Sequence, residues 1–306
     1  MTMIYLYGVL AACLLGLGFV LQQHAAREAP LKDMLSFRLL LDLMKVPMWL
    51  AGIGCMVVGQ IFSVLALSRG DLSRVEPLLA TNLLFAMVLA RWLSGERLGW
   101  SGWAGVLLLS GGVAAFIVAG SPHSGPAHTG TLRHWLVFGG VLAIALLLVL
   151  TARHVRLVEE PPLLAAAAGV LYGLQDALTR VSSEIAEAHG LGRLLVSWEP
   201  YVIVALAVTG LMLVQSAFEA GPLRMSLPAL TAAEPLAGIA CGIGFLGDRI
   251  RVTPAALTGE LLGLAAVVTG VFLLGRHPAM PTGSHKDPDE STGSHRDPEE
   301  SAPESD

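Results

Sequence analysis

The residue of this sequence most suited to chemistry is an acid that stands beside a proline. Glu234 and Pro235 lie inside the long apolar stretch 226–246. Proline has no backbone N–H, so the carbonyl of Thr231 loses the partner that an uninterrupted helix would give it. A carboxylate beside a freed carbonyl predicts a cation or proton site at a broken helix. The alternative is a proline kink in which Glu234 is hydrogen-bonded to a neighbour.

Other polar side chains also interrupt apolar stretches and are candidates for the same site. Asp176 and Glu260 are acids in the stretches 162–180 and 254–275. Asp176 is expected to form an ion pair with Arg180, one helical turn later, and a role in the site is the alternative. Gln60 and Gln215 are candidates for substrate contact, and hydrogen bonds that bridge two helices are the alternative.

Motifs of enzymes and of cofactor sites are missing from the sequence. There is no Walker A, HExxH, CxxC or GxSxG pattern. The three cysteines, Cys13, Cys55 and Cys241, are all in apolar runs, where a thiol is a small hydrophobic group. We therefore predict no enzymatic activity, no cofactor, no metal and no nucleic-acid partner.

The composition places these residues in a membrane protein. Of the 306 residues, 54% are hydrophobic and 14% are charged, with a mean hydropathy of +0.66. A soluble domain carries about 25% charged residues. A single globule of this length cannot bury so much apolar sequence, so the surrounding solvent must be lipid. Charged residues in such spans are costly and are functional candidates by default.

Nine stretches are long and apolar enough to span a bilayer. They lie near residues 4–22, 48–67, 75–93, 102–119, 133–150, 162–180, 200–218, 226–246 and 254–275. The charged stretch 31–46 predicts an interfacial amphipathic helix, with a tenth span as the alternative. The predicted organisation is all-α, with first span 1–30, interfacial helix 31–46, spans 2–4 in 47–119, linker span 133–150, second repeat 162–276 and acidic tail 277–306.

The tail and the loop charges predict an orientation. Residues 282–291 (TGSHKDPDES) and 292–301 (TGSHRDPEES) form a tandem repeat with no apolar side chain to bury, which predicts a disordered tail. One side of the nine-span map holds 12 Lys and Arg residues and the other holds 7. Positive residues favour the cytoplasm, so the N-terminus is predicted outside and the tail inside the inner membrane.

The two halves of the chain resemble each other. Residues 66–79 (ALSRGDLSRVEPLL) align with residues 217–230 (AFEAGPLRMSLPAL), and residues 95–98 (GERL) align with 247–250 (GDRI). Gly112 aligns in the same way with Gly270, and Asn82 with Glu234. Five spans separate equivalent elements, so the predicted halves are inverted four-helix repeats, with a site at their interface. The GxxxG pairs 169/173, 238/242 and 259/263 predict close helix packing.

These features resemble the drug/metabolite transporter superfamily, including its EamA-like members. The resemblance rests on Ala66-Leu67, Gly70, Val75, Pro77-Leu78 and the sequence of residues 95–98, and it covers residues 1 to about 276. Residues 47–60 (PMWLAGIGCMVVGQ) also resemble the branch related to NIPA-type magnesium transporters. That branch usually has Gly-Glu where this chain has Gly59-Gln60, so a charge is missing here.

The resemblance implies a secondary transporter that works by alternating access. The candidate site residues are Glu234, Asn82, Thr231, Asp176, Glu260, Gln60 and Gln215. We find no Lys or Arg in mid-membrane opposite the acids, which favours a cationic or zwitterionic solute, or proton coupling. The alternatives are a NIPA-like transporter of divalent cations and a non-transporting scaffold or regulatory subunit. The expected partners are the solute or ion, the lipid bilayer and a second copy of the chain as a homodimer.

The charge bias makes the topology testable. A reporter that is active only outside should be active when fused after Gly125, and a cytoplasmic reporter should be active when fused after residue 282. Finding both positions on the same side of the membrane would contradict the nine-span map.

Overall fold

The protein is helical wherever its structure is described. The computed structural model describes residues 2–27, 37–67, 75, 78–93, 99–120, 131–154, 160–248, 251 and 253–275. Within these ranges there is no strand, in agreement with the predicted all-α class. The tandem tail and residues 95–98 lie outside the described residues.

Eleven α-helices account for the described chain. They are α1 (Thr2–Ala26), α2 (Phe37–Leu43), α3 (Pro47–Leu67), α4 (Asn82–Leu93), α5 (Trp100–Gly120), α6 (Thr131–Ala152), α7 (Glu160–His189), α8 (Leu191–Val196), α9 (Glu199–Ala220), α10 (Leu223–Cys241) and α11 (Pro254–Gly275). A π-helical turn, Gly242–Leu246, continues from α10. Each of the nine predicted spans overlaps one of these helices.

Seven of the helices are long and apolar enough to cross a membrane. Two predicted spans fall short, for different reasons. The described part of α4 has only 12 residues. Helix α7 has 30 residues, but Gln175, Asp176 and Arg180 interrupt its apolar sequence. The count of seven therefore omits α7, a helix whose apolar sequence is interrupted by polar and charged residues.

Helix α2 covers part of the stretch that was predicted to be interfacial. Its residues Leu39, Leu40 and Leu43 are buried, whereas Leu41 and Asp42 are exposed. This one-sided burial is what an amphipathic helix requires. A place in the membrane interface remains a prediction, because residues 28–36 lie outside the described part.

Glycines set the distance between the helices that carry the candidate site. A Cβ placed on Gly173 of α7 would lie 2.6 Å from the Glu234 carbonyl oxygen of α10 and 2.5 Å from the Gly238 nitrogen. One turn earlier, a Cβ on Gly169 would lie 2.8 Å from the Leu230 carbonyl oxygen. The two backbones are therefore in contact, as the predicted GxxxG pair 169/173 requires.

A second glycine seam joins α5 to α11. A Cβ on Gly112 would lie 2.7 Å from the Gly263 carbonyl oxygen, and one on Gly270 would lie 2.7 Å from the Gly105 carbonyl oxygen. Residue numbers rise along one helix as they fall along the other, so α5 and α11 are antiparallel.

The seam between α7 and α10 predicts the effect of a single methyl group. Gly173→Ala should lower the midpoint of thermal unfolding in detergent, because overpacking of a tight contact costs about 1–3 kcal/mol. Gly140→Ala is the matched control, since nothing lies within 4 Å of a Cβ at this α6 position. Equal midpoints for the two variants would contradict the close approach.

Candidate functional site

A cavity of about 480 Å³ lies among helices α1, α3, α5, α7 and α10. Five of the seven predicted site residues line it, namely Gln60, Asn82, Asp176, Thr231 and Glu234. A smaller cavity of about 180 Å³ is also lined by Gln60, Asn82 and Glu234. Residues that are far apart in the sequence therefore meet at one polar centre, and this centre borders both cavities.

Helix α10 supplies the acid at this centre. It has prolines at positions 228 and 235 within its helical span. Pro235 has no N–H to donate to Thr231, and both Thr231 and Glu234 line the larger cavity. Gly173 of α7 lies against the Glu234 backbone from the other side. The position of this carboxylate is thus fixed by a proline on its own helix and by a glycine on the neighbouring helix.

Asn82, at the start of α4, contributes an amide to the same cavity. Its Oδ1 is buried and has no hydrogen-bond partner among the described residues. Buried side-chain acceptors are normally hydrogen-bonded, so an open one that faces a cavity can accept a hydrogen bond from a solute or coordinate a cation.

The expected ion pair between Asp176 and Arg180 is wrong. Arg180 instead donates to both carboxylate oxygens of Asp248, at 2.8 and 3.3 Å. The Asp248 side chain is only 5% exposed, against 46% for that of Arg180, so the pair compensates a buried carboxylate. The chain after the π-helical turn brings Asp248 to this place, and that contact takes the guanidinium away from Asp176.

The expectation that no cation faces the acids is also wrong. Arg180 lines the larger cavity together with Asp176, Glu234 and Asp248. Arg180 is the last residue of the predicted span 162–180. Asp248 belongs to the sequence GDRI, which the repeat singled out, although nothing in the sequence related it to Arg180.

Gln215 and Glu260 do not line either cavity. Gln215 of α9 is fully buried, and its Nε2 donates to Oε1 of Gln22 in α1, so it bridges two helices. Glu260 of α11 lies against Gly120 of α5, and its Oε1 is buried without a hydrogen-bond partner among the described residues. The predicted residues that do line the cavities therefore come from α3, α4, α7 and α10.

A double-mutant cycle tests the Arg180–Asp248 pair. Arg180→Met should destabilise the protein because it leaves the Asp248 carboxylate buried without a partner. The double variant Arg180→Met/Asp248→Asn should recover part of that loss, with a coupling of about 1–3 kcal/mol, the size expected for residues in contact. Urea or SDS unfolding of the purified proteins measures the coupling, and additive effects would contradict the pair.

Comparison with known proteins agrees with this architecture. The model of the EamA-like transporter family matches residues 2–118. An uncharacterized protein of Corynebacterium glutamicum is 28% identical over 289 residues, which cover 92% of this chain and 97% of that protein. No solved structure matches the chain. The seven apolar helices and the family match support a multi-pass membrane protein. The predicted resemblance to the drug/metabolite transporter superfamily is thus confirmed by the EamA-like transporter family, whose model the chain matches over residues 2–118.

Proposed function

We propose that the protein is a secondary transporter which moves a small cationic or zwitterionic solute across the cell membrane by alternating access, coupled to a proton or another cation. The observation that carries the proposal is the meeting of Glu234 with the open Asn82 Oδ1 around one internal cavity. About 480 Å³ is a volume typical of small-molecule sites.

The packing around Asn82 and Glu234 supports their equivalence in an inverted repeat. A Cβ on Gly16 of α1 would meet the carbonyl oxygen of Asn82 and the nitrogen of Ala86, at 2.7 and 2.9 Å. A Cβ on Gly173 of α7 would meet the carbonyl oxygen of Glu234 and the nitrogen of Gly238. In both halves, a glycine lies between the carbonyl of the polar residue and the nitrogen four residues later.

Further helix contacts occur twice in the same way. Gly59 of α3 lies against Leu15 of α1, and Gly210 of α9 lies against Tyr172 of α7. The antiparallel seam of α5 and α11 pairs Gly105 with Gly270 and Gly112 with Gly263, and the repeat exchanges these two pairs. Such contacts are expected when two halves of opposite orientation pack around one axis.

The charges suggest what Glu234 does. Arg180 is paired with Asp248, and the other two acids that line the larger cavity are Asp176 and Glu234. An acid in a membrane interior is costly unless a proton or a cation neutralises it. Proton and solute would therefore occupy Glu234 in turn, which couples their movements. The Arg180 side chain is partly exposed and lines the cavity, so its guanidinium could also bind the carboxylate of a zwitterionic solute.

The other functions have less support. A scaffold or regulatory subunit has no need of an acid in a solute-sized cavity. For a magnesium or other divalent-cation transporter, no group of three His, Cys, Asp or Glu residues in the described part is arranged to hold a metal ion. We also propose the predicted orientation, with the N-terminus outside and the tail in the cytoplasm.

Neutralising Glu234 tests the proposal. A thermal-shift screen of purified protein with amines, amino acids and inorganic cations first selects a stabilising compound. Uptake of that compound into proteoliposomes, driven by a pH gradient, should fall to background for Glu234→Gln, because the variant keeps the shape of the side chain but cannot exchange a proton.

The control for this experiment is Glu184→Gln, which changes an exposed acid of the same length at the end of α7. It should transport like the wild type. Gradient-driven uptake by Glu234→Gln at the wild-type rate would refute the assignment of the coupling site.

A further inference from the structure

Several residues that line the smaller cavity have counterparts in the proposed repeat that line the larger cavity. The contacts of Gly16 and Gly173 relate α1 to α7 by 157 residues, and those of Gly59 and Gly210 relate α3 to α9 by 151 residues. The smaller cavity is lined by Gln22, Leu211 and Val214. These relations convert them into Thr179, Gln60 and Ser63, and all three line the larger cavity. Each of these three positions of the smaller cavity therefore has its counterpart in the larger cavity, which has the greater volume.

The end of the protein beyond the smaller cavity is closed by contacts between α1 and α9. Gln215 Nε2 donates to Gln22 Oε1, and these residues are 0% and 1% exposed. The rings of Phe19 and Phe218 pack edge to face with their centroids 6.3 Å apart. Gln23 Nε2 also donates to the Gly221 carbonyl at 3.4 Å. These contacts join the first half of the chain to the second.

The positions that the proposed repeat makes equivalent at the other end are exposed. The counterparts of Gln22 and Gln215 are Thr179 of α7 and Val64 of α3. Thr179 is exposed and lines the larger cavity, and Val64 is 57% exposed. One pair of positions is thus fully buried while its equivalent is exposed. Two equivalent ends in different states are what alternating access requires of any single conformation.

We propose that the contact of Gln22 with Gln215 is a closed gate, and that Val64 and Thr179 come together as the second gate when the first one opens. The proposal rests on the transport function proposed above, and it adds the residues that seal each end. The Arg180–Asp248 pair is not assigned to a gate, since both of its members belong to the second half of the chain.

A polar gate of this kind is suited to reversible opening. Gln22 Nε2 also donates to Met56 Sδ at 2.6 Å, whereas Gln215 Oε1 is buried without a hydrogen-bond partner among the described residues. When α1 and α9 separate, water from that side can reach both amides and satisfy this oxygen. The closed gate therefore gives up only part of its hydrogen bonding when it opens.

Cysteine pairs test the second gate directly. Cys13, Cys55 and Cys241 are free thiols and are first replaced by alanine. In proteoliposomes, the pair Val64→Cys/Thr179→Cys should form a disulfide with copper phenanthroline, because oxidation traps the minor state as it is visited. The control pair Val64→Cys/Thr269→Cys joins exposed positions of α3 and α11 and should not cross-link. Failure of the first pair to cross-link above this control would overturn the proposal.

Labelling of the first gate completes the experiment. A third cysteine, Gln22→Cys, should react with a membrane-impermeant thiol reagent about 10-fold faster or more once the Val64–Thr179 disulfide has formed, since the minor state is populated at about 0.1–10% beforehand. The excess of copper phenanthroline is removed first, and a reducing agent should reverse the change. Val214→Cys, in the smaller cavity, is a second reporter if Gln22→Cys does not fold. An unchanged rate at the reporter would refute the gate.

These results separate the gates from the coupling site. If the disulfide accelerates labelling but Glu234→Gln still transports, the gates stand and the role of Glu234 fails. If Glu234→Gln loses transport but labelling does not change, only the gates fail.

Discussion

The cost of a charge in an apolar environment governs the arrangement of this protein. Lipid offers no hydrogen bonds, so a carboxylate or amide within the bundle is stabilised by a partner in the protein or by facing an internal cavity. Asp248 meets the first condition through Arg180, and Asp176 and Glu234 meet the second. The larger of the two cavities is consequently found where polar residues of α3, α4, α7 and α10 converge.

This convergence depends on helices that touch at their backbones. Gly173 and Gly16 let α7 and α1 approach the carbonyls of Glu234 and Asn82 more closely than any other residue would allow. Close packing on that side of each polar residue fixes its backbone and leaves its side chain to the cavity. A wider helix spacing would fill the same region with side chains, so the glycines define both the rigidity of the site and the space within it.

The sequence was sufficient for features that follow from local pattern, and insufficient for those that depend on distant contacts. Apolar length predicted the helices, the cost of buried charge predicted Glu234 and Asp176 as site residues, and the alignment of the two halves predicted Asn82. Helical spacing also predicted an Asp176–Arg180 pair, which fails because Asp248, 68 residues later, offers a better-buried carboxylate. Gln215 and Glu260 have the same polar character as the lining residues, but they face α1 and α5 instead. The direction in which a polar side chain points is set by tertiary packing, which periodicity alone does not contain.

The difference between the two cavities relates the architecture of the protein to movement of its helices. If equivalent positions surround both, the forces that close one end are available, in principle, at the other. Among the described residues, amide and aromatic contacts are made at one end, through Gln22 with Gln215 and Phe19 with Phe218. Under the proposed repeat, the counterparts of Phe19 and Gln22 on α7 are Asp176 and Thr179, so the second closure would bring an acid toward the apolar end of α3. Closing that end is therefore costly while Asp176 is charged and easier once a cation or proton has neutralised it. Occupancy of the cavity by positive charge would then favour closure on the open side, which links the acids of the site to the movement of the helices.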